Sequence, residues 1–297
     1  MVNIQETNTI RNLLKWAVDT LKKSNIESAD INADTLLVHV LKCEKIKLYA
    51  NPDKIIKDEN VSKYERLINK RARHIPLQYI TGHVEFMSLD FVVDKRTLIP
   101  RQETEILVET VLDKSKNRIF SDKKITIIDL CVGCGNIAIA LATNLQNAQV
   151  YASDTSKEAL EIAITNVKRH NVIERVHLFH GNLFDAFDEN IKKGNVDFIV
   201  SNPPYVRESE WNGLEPEIKD HEPREALVGG KDGLFFYKRI IRKAPEWLRP
   251  KGLLIMEIGE TQANAVTKLV EREGHFENIE IIKDLQKKKR IVSARRK

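Results

Sequence analysis

Cysteine is scarce: Cys43, Cys131 and Cys134 are the three in 297 residues, too few and too odd in number for a disulfide framework. That points to a reducing compartment. No stretch approaches the apolar length that crosses a bilayer, and Met1-Val2-Asn3-Ile4-Gln5-Glu6 lacks a basic segment followed by an apolar run. A cytoplasmic protein without membrane attachment is expected. Charge of one sign is also missing, since 48 basic residues against 43 acidic ones leave a net charge of +5. So even a balance does not announce a nucleic-acid binder, although it allows an anionic partner. A Gly-x-x-x-x-Gly-Lys-Ser/Thr run is absent, which argues against a phosphate-gripping nucleotide loop.

What remains is an ordinary globular composition, 42% hydrophobic and 31% charged, in a chain long enough for about two domains with well-buried cores. Residues 1–75 carry helical periodicity. Ile10, Leu13, Leu14, Ala17, Val18 and Leu21 form one stripe, Ala33, Leu36, Leu37, Val40 and Leu41 a second, and Val61, Tyr64, Leu67, Ile68 and Ala72 a third. A small helical bundle follows, serving substrate recognition or acting as a structural cap. Residues 76–98 read as a linker, marked by Pro76 and Gly82, and a β-hairpin over Val84 to Val93. Residues 99–297 then form the second domain, entered through a charged cluster, Arg101 to Glu105, and a helix through Ile106 to Leu112.

From Lys124 onward short apolar runs alternate with longer helical stretches. Ile125 to Leu130, Gln149 to Ala152, Val176 to Phe179, Val196 to Val200 and Leu253 to Ile258 are the runs, and Ile279 to Ile282 and Arg290 to Ala294 look like closing strands. This alternation implies an α/β fold with a parallel sheet covered on both faces. Ligands of such sheets bind beyond the carboxyl ends of the strands. After the first run comes Asp129-Leu130-Cys131-Val132-Gly133-Cys134-Gly135, a loop whose glycines permit a tight turn before a helix N-terminus. After the second comes Asp154, spaced to accept both hydroxyls of a ribose. The loop departs from Gly-x-Gly-x-x-Gly at Cys131 and Ala138. A ligand with a ribose and no pyrophosphate fits better, and S-adenosyl-L-methionine is the common one. Gly181 to Asp185, after the third run, are then placed for an adenine ring. Cys131-x-x-Cys134 has the spacing of a zinc or dithiol site, yet no second pair follows. No metal is expected.

The fourth run ends in Ser201-Asn202-Pro203-Pro204-Tyr205. Two prolines fix φ and remove two backbone donors, so the Asn202 amide and the neighbouring carbonyls project from a stiff turn able to hold a planar N–H₂ group. A simple strand-ending turn accounts for the same residues. A long irregular stretch, with Glu222-Pro223 and Val228-Gly229-Gly230-Lys231-Asp232-Gly233, comes next, and loops of that length are often functional. The basic residues Lys287 to Arg290 and Arg295 to Lys297 read as a solvated hairpin with charged edges.

Gln78-Tyr79-Ile80-x-Gly82, Leu98-Ile99-Pro100-Arg101-x-Glu103-Thr104-Glu105, the Asp129 to Gly135 loop, Asn202-Pro203-Pro204-Tyr205 and Glu222-Pro223-x-x-Ala226-Leu227-x-Gly229-Gly230-x-Asp232-Gly233 together resemble the peptide chain release factor glutamine methyltransferases, the HemK/PrmC family. The resemblance covers nearly all the chain after about residue 70. It implies a class I S-adenosylmethionine-dependent methyltransferase fold, Rossmann-like, with a seven-stranded sheet whose last strand is antiparallel. It also implies methylation of the side-chain amide nitrogen of the glutamine in the Gly-Gly-Gln motif of class I release factors. By position, Cys131, Val132, Gly133, Cys134 and Gly135 would line the methionine part of the cofactor, Asp154 the ribose, and Leu183 the adenine. Asn202, Pro203, Pro204 and Tyr205 would grip the glutamine, with Asn202 also beside the cofactor and Asn202, Pro203 and Tyr205 catalytic. Cys131 stands where the family usually has Gly, Cys134 where it has Ser or Thr, Asn182 where many members have Asp, and Leu183 where some have an aromatic residue. A monomer is expected, with release factors as partners and no nucleic-acid substrate. Asn-Pro-Pro-Tyr alone is shared with DNA adenine methyltransferases, so an adenine N6 methyltransferase is the enzymatic alternative and a cofactor-binding scaffold the non-enzymatic one.

Overall fold

The computed structural model describes residues 8–116, 124–187 and 191–297; Met1 to Glu6, where a targeting signal would stand, lie outside them. The chain divides into two compact units, residues 8–82 with Glu215–His221, and His83–Leu214 with Glu222–Lys297.

The smaller unit is helical: α1 (Ile10–Lys23), α2 (Ala29–Leu41), α3 (Lys45–Ala50), α4 (Asp58–Arg71) and α5 (Leu77–Thr81). Thr9 begins α1 by accepting the Asn12 N–H on its hydroxyl at 3.3 Å, satisfying a donor that the first turn leaves free. Leu13, Ala17 and Leu21 then repeat at helical spacing and meet Ala33, Leu36 and Leu37 of α2 and Tyr64 and Ile68 of α4 in one core. Buried Tyr64 directs its hydroxyl to the Ala33 carbonyl at 3.0 Å. The segment expected as a linker contains α5. Pro76 and Gly82 bracket this helix instead of excluding it: proline suits a helix entrance, and Gly82, at φ +80°, closes it in the left-handed region. Glu215–His221, with the short helix Pro216–Lys219, belongs to this unit although it lies far along the chain. Its Glu217 pairs with Arg71, which also donates to Asn32 Oδ1 at 2.7 Å and the Ile75 carbonyl at 3.1 Å.

The larger unit opens with a two-stranded hairpin, β1 (His83–Phe86) and β2 (Leu89–Val92), joined through Met87 and Ser88, both at positive φ. That is the two-residue hairpin geometry that matches strand twist. After α6 (Glu105–Ser115) come β3 (Ile125–Leu130), α7 (Asn136–Asn144), β4 (Ala148–Asp154), α8 (Lys157–Arg169), β5 (Val176–His180) and β6 (Val196–Ser201). With the short helix of Pro216–Lys219 counted as α9, the unit closes through α10 (Phe235–Trp247), β7 (Leu248–Glu257), α11 (Ala263–Glu273), β8 (Phe276–Lys283) and β9 (Lys289–Arg296). One seven-stranded sheet results, in the order β5-β4-β3-β6-β7-β9-β8, with β9 antiparallel to both its neighbours. Successive side chains leave opposite faces. Ile127, Leu253 and Ile255 pack with α6, α7 and α8, whereas Ile128, Leu254 and Met256 pack with α10 and α11. Near-continuous apolar runs are what two covered faces require. β7 starts earlier than the Leu253 run suggests: Leu248 pairs with Val196, then the register shifts so that Leu253 meets Phe198. Arg249-Pro250-Lys251-Gly252 fills that irregularity, with Lys251 at positive φ, and so carries no strand pattern in sequence. No helix among the described residues is long and apolar enough to cross a membrane.

Candidate active site

β3 lies between β4 and β6, which connect in opposite directions, so the crevice of the sheet opens at its carboxyl end. The register makes this concrete. Leu130 stands opposite Ser153 on one side and Ser201 on the other. The Cys131 loop, Asp154 and Asn202 therefore leave the sheet side by side. Ser201 Oγ ties two of these exits together by donating to the Leu130 carbonyl at 2.8 Å.

A cavity of about 380 Å³ lies beyond these strand ends, inside the size range, about 300–1,000 Å³, of small-molecule sites. Cys131, Gly133, Asp154, Leu183, Asn202 and Pro204 line it, and Val132, Cys134, Gly135, Pro203 and Tyr205 do not. The loop explains the split. Val132 is buried and its N–H bonds the Ser153 carbonyl at 3.0 Å, and Cys134 is buried with its thiol pushed up to about 12 by desolvation. Gly133, at φ +54°, has nothing within 4 Å of where a Cβ would stand. Gly135, at φ +90°, begins α7, and a Cβ there would meet Ile139 Cδ1 at 3.0 Å. Cys131 adopts φ +64°, a conformation that glycine takes without strain.

Asp154 accepts the Gly133 N–H on Oδ2 and the Ser156 N–H on Oδ1, both at 2.9 Å. Burial raises its pKa above the ordinary value, and these backbone bonds oppose the rise. A carboxylate offers about four acceptor positions, so each oxygen keeps capacity for a ligand hydroxyl. Leu183 holds φ +55° and its carbonyl takes the Ser153 hydroxyl at 3.1 Å. Beneath the loop, Asp129 is wholly buried and neither carboxyl oxygen completes a hydrogen bond. Burial pushes its pKa well above the ordinary carboxylate range, and the charge of Asp154 adds to the rise.

Asn202 donates through Nδ2 to Thr104 Oγ1 at 3.2 Å. Glu257, at the end of β7, is buried, and burial pushes its carboxyl up to about 7. The rest of the turn is fastened by its main chain. Gln262 Nε2 donates to the Tyr205 carbonyl at 2.9 Å and the Gly233 carbonyl at 3.2 Å, while its Oε1 accepts the Gly259 N–H at 3.0 Å. Val206 pairs with Val228, and the long loop then passes so close that a Cβ on Gly229 would stand 2.4 Å from the Pro204 carbonyl oxygen. Glu222 anchors the same loop by accepting the Ile99 N–H at 3.2 Å and the Arg101 guanidinium. Tyr205 is half-buried, its hydroxyl pushed up to about 12 by desolvation and by Glu257. Sequence reasoning gave Thr104 no role beyond its place in the Leu98 to Glu105 motif, and did not single out Glu257, Gln262 or the cavity residue Phe236 of α10. The repeated Gly229, Gly230 and Gly233 were the available signal for close backbone approach.

A seven-stranded, mostly parallel sheet with its last strand reversed and a cavity beyond the central strands is the class I methyltransferase fold. A methyltransferase structure from Pyrococcus furiosus shares it, with a TM-score of 0.52, 18% identity and coverage of 76% of this chain and 98% of that one. Residues 12–82 match the PrmC N-terminal domain, and residues 102–214 the methyltransferase small domain. The release factor glutamine methyltransferase of Clostridium botulinum is 40% identical over 97% of this chain and 99% of its own length. That of Geobacter sulfurreducens is 40% identical over 90% and 89%. The chain belongs to the release factor glutamine methyltransferase family.

Proposed function

We propose that this chain transfers the methyl group of S-adenosyl-L-methionine to the side-chain amide nitrogen of the glutamine in the Gly-Gly-Gln motif of class I peptide chain release factors. The observation that carries the reading is the juxtaposition of Asn202 with the cavity of Cys131, Gly133, Asp154 and Leu183. The residues fit the cofactor. Open space over Gly133 admits a ligand against the backbone, Asp154 keeps acceptor capacity for a ribose, and Leu183 and Phe236 offer apolar surface to an adenine. When bound, the cofactor supplies a methyl group made electrophilic by its sulfonium.

An amide nitrogen is a weak nucleophile because its lone pair is shared with the carbonyl. The protein's task is therefore alignment and electrostatics. Asn202 Nδ2 is spent on Thr104, so Oδ1 is the end that accepts from the substrate N–H₂, with the Pro203 carbonyl as second acceptor. Together they localise the lone pair toward the methyl carbon and stabilise positive charge as the N–C bond forms, until one N–H proton is lost. Tyr205 buttresses the turn and offers its ring to the cationic centre. The helical unit, residues 8–82 with Glu215–His221, recognises the release factor. The enzyme acts as a monomer in the cytoplasm, and its three free thiols agree with that compartment.

Mass spectrometry of a purified release factor after incubation with enzyme and S-adenosyl-L-methionine tests the reading, beside DNA and RNA controls. One methyl on the Gly-Gly-Gln peptide is expected. Asn202→Ala should abolish it while cofactor binding stays measurable by calorimetry, and near-normal turnover would sink the role of Asn202.

A further inference from the structure

Asn182 follows β5 and lines the cavity beside Leu183, and its side chain makes no capping bond to the short turn that it opens, Leu183–Ala186. Its amide is held from another element. Arg239 Nη1, on α10, donates to Asn182 Oδ1 at 3.0 Å. A guanidinium has donors and no acceptor, so only the oxygen end of the amide can face it. Arg239 is itself held in place. Its guanidinium carbon lies 5.5 Å from the centre of the Phe235 ring, one helical turn earlier on α10, within cation–π range. Neither Phe235 nor Arg239 lines the cavity, whereas Phe236 does. Oδ1 is thus drawn to a group outside the cavity, and Nδ2, with its two protons, is the end left for what the cavity holds.

We propose that Arg239 fixes the polarity of the Asn182 amide, so that its nitrogen donates to a ring nitrogen of the cofactor's adenine and the pair selects a base by an acceptor on its edge. The inference rests on the reading that this cavity binds S-adenosyl-L-methionine. Leu183 and Phe236 offer apolar surface to the faces of a base, which leaves Asn182 for its edge. Adenine carries both kinds of group there, an exocyclic N–H₂ that donates and ring nitrogens that accept. A donor on the protein meets the second kind. The bond from Arg239 also draws electron density toward Oδ1, which strengthens the Nδ2 protons as donors. Arg239 is a positioning residue, since it acts through Asn182, and Asn182 is the residue that reads the base. An ionised aspartate at 182 would keep the shape of the side chain and gain attraction to Arg239, but it has no proton to give.

Calorimetry on the full chain with S-adenosyl-L-homocysteine, which keeps the adenosine and does not turn over, tests the pair. Asn182→Asp should bind it about tenfold more weakly, the loss of one donor. Its melting temperature should stay at or above that of wild type, because Asp opens a turn as well as Asn does and pairs with Arg239. Arg239→Lys, still a donor without an acceptor, should stay within about threefold of wild type. Arg239→Gln, whose amide donates or accepts and so no longer dictates the Asn182 orientation, should lose about fivefold. In an Asn182→Ala background the same Arg239→Gln change should leave affinity unaltered, since nothing remains to orient. Asn182→Asp with wild-type affinity overturns the proposal, and so does an Arg239→Gln loss that persists undiminished in Asn182→Ala. A wild-type enzyme that does not bind S-adenosyl-L-homocysteine overturns the cofactor reading and the inference with it. An enzyme whose variants bind as expected but that transfers no methyl to a release factor upholds the pair and overturns the substrate reading instead.

Discussion

Gly229→Ala adds one methyl group to a loop and should cost most of the turnover. A Cβ there would lie 2.4 Å from the Pro204 carbonyl oxygen, 2.9 Å from Tyr205 Cα and 3.0 Å from the Gly233 carbonyl oxygen. All three are backbone atoms, so no rotamer change can relieve the clash. Ordinary contact begins near 3.4 Å, and the turn and the loop must therefore part by about 1 Å. A displacement of about 1 Å in groups that orient a substrate costs about 10²-fold in rate. Overpacking of this size destabilises by about 1–3 kcal/mol, which a domain of ordinary stability, about 5–15 kcal/mol, survives. Steady-state kinetics on a release factor, with calorimetry for the cofactor and a thermal melt, should show kcat down about 10²-fold in a folded protein that still binds cofactor. Gly213→Ala is the control, because Gly213 has nothing within 4 Å of its Cβ position and no positive φ. A Gly229→Ala enzyme with the turnover of Gly213→Ala would refute the claim that this glycine sets the position of the Asn202 turn.

The buried acids give two more expected outcomes. Asp154→Asn should weaken S-adenosyl-L-methionine binding about 10- to 100-fold by calorimetry, the loss of a charged hydrogen bond of about 1.5–3 kcal/mol, and should also lower the melting temperature, because the amide nitrogen cannot accept one of the Gly133 and Ser156 N–H groups. Asp129 is raised well above its ordinary value, so the folded state holds its proton more tightly than the unfolded state, and stability falls as pH climbs from the ordinary carboxylate range through the folded value. Asp129→Asn removes that dependence. Its melting temperature relative to wild type should therefore improve between acidic and alkaline buffer, and a pH-independent difference would contradict the assignment.

Strands, the Gly133 and Gly135 loop, Asp154 and the Asn202 turn were legible because each is a local pattern: an apolar run met at once by the residues that stop it. The cavity likewise comes from topology, since parallel strands deliver their C-terminal loops to a single end of the sheet. Facing was less legible. Cys131 and Gly133 reach the cavity while Val132 and Cys134 turn into the core, a choice made by φ at three loop positions. The short helix Leu77–Thr81 was hidden because proline and glycine both break helices and bound them. The roles of Thr104 and Gln262 were hidden for another reason. Their importance lies in partners such as Asn202 and Tyr205, far from them in sequence, and nothing local marks a threonine or glutamine as holding a distant turn.

The pairing of Arg71 with Glu217 also bears on how this protein is made. The helical unit is encoded in two pieces, and the second arrives only after β3 to β6 have been synthesised. Until then the Arg71 guanidinium, 5% exposed in the finished fold, keeps its bonds to Asn32 and the Ile75 carbonyl but lacks the Glu217 carboxylate. The nascent N-terminal helices emerge first, yet their unit is completed only with Glu215–His221. An excised fragment ending at residue 82 lacks that partner permanently, and grafting the Glu215–His221 segment back onto it returns the carboxylate to Arg71.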